Sequence, residues 1–278
     1  MQLGQIVKSA IGAIALSIFA ATTVQADVQQ ELGAASVVEQ IKQRGVLKVG
    51  VSTFVPWAMR DKKGDLIGFE IDVVKKLAAD MEVGVEFIPT AWSGIIPALI
   101  GGKFDVIISG MSVTTQRNMT VNFTIPYAHS GPQLAANKEL ADGFSLDDFN
   151  ATNVVLTCRR GSSACDVAQE QFPKADLRRF DDDAQGFQEV INGNAHGSIA
   201  SAPKPQFVML ENPGVLFLPS EKTLTQFNEA FALRKGDPDA LNFFSNWILV
   251  NTDNGWLAKT HDYWFKTRDW ADEVGPDQ

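Results

Sequence analysis

Residues 46–109 run strand, helix, strand, helix, strand, and residues 154–211 repeat the same alternation. No other feature restricts the fold as tightly, because a strand followed by a helix and a second strand builds a parallel sheet with helices on its faces, joined by right-handed crossovers. In the first set, residues 37–44 read as a short helix stopped by Gly45, and residues 46–51 alternate as a half-buried strand. Pro56 and Gly64 bracket a turn-rich crossing. Residues 68–81 carry Ile71, Val74, Leu77 and Ala78 at helical spacing, so one face packs on a sheet. Residues 83–88 form the next strand, 95–100 a helix closed by Gly101-Gly102, and 104–109 an apolar strand of the buried, parallel kind. The second set comprises strands at 154–157, 177–180 and 198–200 with helices at 164–172, 184–192 and 205–211. Two late helices, 241–251 and 255–265, finish the chain.

Lys8 precedes an apolar stretch, Ala10 to Ala21, that ends in the small-residue pattern Val24-Gln25-Ala26 before Asp27. That is the grammar of a secretory leader over residues 1–26. No later segment approaches the roughly 20 apolar residues of a membrane helix, so a soluble mature chain of about 250 residues is expected, enough for two cores. The net charge of −9 argues against nucleic acid as a partner, since that binding depends on basic side chains displacing counterions. The two cysteines, Cys158 and Cys165, lie seven apart in a chain expected to be exported, where a local disulfide can persist; a pair of buried thiols is the alternative. His129, His196 and His261 are scattered without ligand spacing, so no metal site and no cofactor is expected.

The segment 68–127 resembles the family 3 extracellular solute-binding proteins, the polar amino-acid receptors of ABC importers. The residues that carry the likeness are Gly68-Phe69-Glu70-Ile71-Asp72, Trp92, Ile96-Pro97-Ala98-Leu99, Gly102-Lys103-Phe104-Asp105, Ser109-Gly110-Met111-Ser112-Val113-Thr114, Arg117 and Asn122-Phe123-Thr124-Ile125-Pro126-Tyr127. The resemblance implies an α/β protein of the two-lobed periplasmic binding protein type II, each lobe a mainly parallel sheet flanked by helices. Residues 27–132 and 225–278 would form the first lobe and residues 133–224 the second, with a two-strand hinge between them. It further implies a periplasmic monomer that closes on a small-molecule ligand, an amino acid or related carboxylate, and passes it to an ABC transporter permease.

A zwitterion needs a cation and amide donors for its carboxylate, an acceptor for its ammonium, and walls for its side chain. A planar guanidinium can grip a carboxylate with two parallel hydrogen bonds, and the resemblance gives that role to Arg117, with Ser109, Gly110, Met111 and Ser112 around it. Ser162 and Ser163 lie between a strand and a helix, where amides and hydroxyls can meet an anion, although a plain helix cap is the simpler reading. Phe54, Trp57 and Trp92 are candidate aromatic walls, suited to an apolar or cationic side chain.

At the ammonium the chain departs from its relatives: the family's usual Asp corresponds here to Ser201. Either the ligand has no free α-amino group, or another acid such as Glu70 or Asp182 substitutes, or the register differs in this stretch. Lys204 favours an additional acidic group on the ligand, with a plain surface lysine as the alternative. Lys204 also stands where the related cyclohexadienyl dehydratases carry a catalytic Glu, so binding is expected rather than catalysis. A ligand receptor that feeds a separate sensor is a further alternative.

Overall fold

A computed structural model describes residues 36–275; the leader expected over 1–26 lies outside them. The first helix, α1 (Val37–Arg44), is capped by Ser36, whose side chain accepts from the Val38 amide, and ends at Gly45 with φ 70°, a left-handed turn that glycine adopts without penalty. The following elements are β1 (Val46–Val51), the small ribbon β2 (Met59–Arg60) and β3 (Leu66–Ile67), α2 (Phe69–Asp80), β4 (Gly84–Pro89), α3 (Ile95–Ile100), β5 (Val106–Ile107), the single turn α4 (Thr115–Asn118) and β6 (Asn122–Phe123). Then come β7 (Ala128–Ser130), β8 (Pro132–Asn137), β9 (Val155–Arg159), α5 (Ser163–Gln171), β10 (Asp176–Phe180), α6 (Asp183–Ile191), β11 (Gly197–Ser201), α7 (Lys204–Glu211) and β12 (Leu216–Phe217). The chain returns through β13 (Phe227–Glu229) and β14 (Ala232–Leu233) to α8 (Pro238–Asp253) and α9 (Trp256–Lys266).

These elements build two lobes, each around a five-stranded sheet. The first has the order β4-β1-β5-β14-β6 and the second β10-β9-β11-β8-β12. In the first, β1 runs parallel to both β4 and β5, while β14 joins antiparallel. In the second, β9 is parallel to β10 and β11, while β8 is antiparallel to β11. The segment read as a strand over 104–109 pairs only at Val106–Ile107. Past that point Ser109 turns its hydroxyl to the Ser52 backbone and Gly110 adopts φ 58°, so the ladder stops.

Alternation along the strands explains why both faces of the second sheet are covered. Leu134, Ala136 and Ile199 pack in one apolar cluster, whereas Ala135 and Ala200 pack in another with Phe187 and Val190; successive side chains point to opposite faces. The late helices belong to the first lobe, because Phe244, Trp247, Ile248, Leu257 and Trp264 share one core with Leu47, Val49, Phe69, Val74 and Leu77. Between the sheets, β7 and β13 pair antiparallel. Gly131 follows β7, and a Cβ there would overlap the Thr225 carbonyl oxygen, so the two crossing strands can lie this close only with glycine at that position.

Candidate functional site

Three chain segments meet where the lobes face one another: the Phe54–Trp57 turn after β1, the Trp92 to Arg117 region, and the loop from Arg159 to Ser163 between β9 and α5. A disulfide between Cys158 and Cys165, with Cα atoms 5.4 Å apart, staples that loop at both ends. Within it, Ser162 caps α5 by accepting from the Cys165 amide at 3.2 Å. Gly161 takes φ 74°, which turns its carbonyl oxygen toward the opposite lobe. That oxygen accepts from Trp92 Nε1 at 3.0 Å and from Arg117 Nη2 at 3.1 Å.

Arg117 lies on α4, whose N-cap Thr114 accepts from the Arg117 amide. Its Nη1 donates to the Ser112 carbonyl oxygen at 2.9 Å, and its guanidinium carbon stands 5.5 Å from the centre of the Trp92 ring. Burial lowers its pKa from the usual guanidinium value, with Asp166 opposing that shift; the group remains a cation, as arginine does in proteins. Across the seam, the Ser112 and Ser163 hydroxyls are 3.1 Å apart. The Ser112 hydroxyl also donates to Glu229 Oε1 at 3.4 Å, so Ser163 is the donor to Ser112.

Two carboxyl groups lie fully buried beneath this seam. Glu70 accepts from the Gly110 amide at 2.7 Å and from the Tyr127 hydroxyl. Burial pushes its pKa up to about 8, although both hydrogen bonds pull the other way. Glu229, on the crossing strand β13, accepts from the Ser130 hydroxyl at 2.6 Å, and burial raises its pKa to about 7. The Oε2 atoms of both have no hydrogen-bond partner.

The expected site residues fall into three groups. Phe54, Trp92, Ser112, Arg117 and Ser163 converge at the seam. Trp57, Ser109, Gly110 and Met111 lie behind it: Trp57 is fully buried and stacks under Phe54 with ring centres 5.7 Å apart. The Ser109 hydroxyl is engaged by the Ser52 amide at 2.8 Å, Met111 is buried in a core cluster, and Gly110 abuts the Phe54 and Trp57 rings. Trp57 therefore braces a wall rather than being one. Ser162 caps a helix, and Ser201 ends β11 opposite Pro132, with no side-chain hydrogen bond to the groups at the seam.

Arg159 was not expected from sequence, yet it is buried at 5% exposure between the lobes. Its guanidinium carbon lies 4.8 Å from the centre of the Phe54 ring and 4.7 Å from that of Trp92. Beside it, a cavity of about 130 Å³ is lined by Thr53, Phe54, Val55, Asp182, Asp183, Ala184 and Lys204. Lys204 is 7% exposed rather than a surface lysine, and burial lowers its pKa while Asp183, Glu211 and Asp182 oppose the shift. Asp182 is spent partly as the cap of α6, accepting from the Gln185 amide.

Residues 47–267 match the model of the bacterial extracellular solute-binding proteins, family 3. The chain is 25% identical over 268 residues to the L-cystine-binding protein of Escherichia coli strain K12, covering 95% of this chain and 98% of that one. Among solved structures, a putative binding component of an ABC transporter from Wolinella succinogenes, complexed with lysine, superposes with a TM-score of 0.78 at 35% identity, covering 82% of this chain and 99% of the other. An ancestral amino acid-binding protein, a precursor of cyclohexadienyl dehydratase, superposes with a TM-score of 0.76 at 37% identity, covering 83% and 100%. With the family pattern spanning both sheets and the seam between them, the chain belongs to the bacterial extracellular solute-binding proteins, family 3.

Proposed function

We propose that this protein is a periplasmic receptor that takes an amino acid or closely related small carboxylate between lobes formed by residues 27–132 with 225–278 and by residues 133–224, and delivers it to an ABC transporter permease. The observation that carries this reading is the position of Arg117, whose guanidinium shares the Gly161 carbonyl with Trp92 across the seam. A ligand carboxylate there meets the Arg117 fork, the hydroxyls of Ser112 and Ser163, and the amides at the start of α5. Charge-assisted bonds of this kind are stronger than neutral ones.

The relatives add to the case, one being named for cystine and one having been solved with lysine. Because the donors come from both lobes, the ligand gains contacts only as the lobes approach, and occupancy shifts the population toward the closed form. The permease would then read that shape.

A thermal-shift screen of the mature protein tests the reading, with amino acids, their N-blocked and deaminated analogues, dicarboxylates and prephenate as probes. A ligand at 100 times its Kd stabilises the native state by about 2.7 kcal/mol, which for a chain of this size raises Tm by roughly 5–10 °C. Failure of every carboxylate to raise Tm, or turnover of prephenate, contradicts the proposal.

A further inference from the structure

The shortest cation–aromatic contacts in the seam are made by the protein itself. Arg159 leaves the end of β9 in one lobe and lays its guanidinium over Phe54 and Trp92 of the other. Both rings lie within cation–aromatic range of it, while the hydrogen-bond donors along its edge are only loosely engaged. Nε has no hydrogen bond, Nη1 reaches the Thr53 carbonyl only at 3.5 Å, and Asp183 forms an ion pair with Nε at 3.6 Å, longer than a normal hydrogen bond.

A buried guanidinium with unspent edge donors is costly unless something meets them. Arg117 packs on the same indole, and the two cations disfavour one another, the charge of Arg159 lowering the pKa of Arg117. Lys204 lines the adjoining cavity. The aromatic surface that would hold a cationic ligand side chain is therefore already covered by a cation, with two further cations close by.

We propose that Arg159 selects ligands bearing two carboxylates, the first taken by Arg117 and the second by the edge donors of Arg159 that its loose pairing with Asp183 leaves without a close hydrogen bond. This rests on the receptor reading above and names its substrate class. Asp183, the ion-pair partner of Arg159, and Asp182 also line the cavity and offer an acceptor to any ligand ammonium, in a cleft where Ser201 supplies no carboxylate. The second carboxylate can sit on the ligand's side chain or on its nitrogen, and the test below separates these.

Isothermal titration calorimetry of the mature protein compares L-glutamate with L-glutamine, and N-carboxymethyl-L-alanine with its carboxamide, with L-arginine alongside. The proposal expects at least one dicarboxylate to bind roughly tenfold or more tighter than its amide and tighter than L-arginine. Arg159→Leu should erase that preference and admit L-arginine, while Arg159→Lys, which keeps the charge, retains part of it. Equal affinity for acid and amide, or an Arg159→Leu variant with unchanged preference, overturns the proposal. If L-arginine or L-glutamine binds better and the binding is lost in Arg117→Ala, the receptor reading stands and this one fails. If none of the five probes binds the folded wild-type protein, the two-carboxylate proposal falls, while the broader screen decides the receptor reading.

Discussion

The hydroxyl of Ser112 lies 3.1 Å from the hydroxyl of Ser163, and the two belong to opposite lobes. Ser112 donates onward to Glu229, a residue of the crossing strand β13, so a short polar chain links the seam between the lobes to the hinge.

Removing Ser163 separates the seam from the hinge. Ser163→Ala leaves Ser112 paired with Glu229 but takes one donor from the proposed anion site, and a hydrogen bond to a charged group contributes about 1.5–3 kcal/mol. Calorimetry should show a loss of affinity of about tenfold or more with Tm little changed; wild-type affinity would remove Ser163 from the site.

Trp92→Phe keeps an aromatic surface and deletes the indole donor to Gly161. One neutral hydrogen bond is worth about 1 kcal/mol net, so ligand binding should weaken roughly fivefold. A loss of a hundredfold would mean that the ring itself, rather than the seam bond, holds the ligand.

The disulfide closes a short loop on the face that the second lobe turns to the first. For a loop of this length, chain entropy gives about 2.5 kcal/mol of stabilisation. The double variant Cys158→Ser with Cys165→Ser should lower the unfolding free energy by that order in urea titrations, and should weaken ligand binding as well, because the stapled residues Gly161 and Ser163 face the proposed ligand site. Unchanged stability would show that the loop is held by its packing instead.

Glu70 and Glu229 make stability fall with rising pH. Their folded pKa values, raised from 4.5 to about 8 and about 7, mean that the folded state binds more protons than the unfolded chain between about pH 5 and pH 8. Their favourable contribution is complete below about pH 4.5 and is lost as the pH passes through 7 and 8, at a slope of up to roughly 1.4 kcal/mol per pH unit for each group. Glu70→Gln keeps the acceptor for Gly110 and should flatten the dependence at its upper end. An identical pH profile in that variant would refute the assignment.

Much of the scaffold was legible because periodicity and punctuation agree. Helix Val37–Arg44, closed by Gly45, and strand Val46–Val51 fall where the pattern places them. Two-residue strands such as Met59–Arg60, Asn122–Phe123 and Ala232–Leu233 show no period and are defined only by their partners. At the seam, Arg117 and Ser112 belong to one ordered motif, and the structure brings them into contact. Trp57 was not separable from Phe54, since which ring faces the seam depends on Phe69 and Phe265 packing against Trp57 from behind. Arg159 and Glu229 carried no local signal beyond a charged residue ending a strand; burial across the lobes creates their chemistry.

The most direct test of the account is calorimetric titration of the best carboxylate ligand from the thermal-shift screen into wild-type protein and Arg117→Ala. Loss of charge-assisted, fork-like contacts amounts to about 3 kcal/mol or more, so the variant should bind at least a hundredfold more weakly while its circular dichroism and melting remain those of the wild type. A folded Arg117→Ala protein that binds the same carboxylate with unchanged affinity would contradict the account.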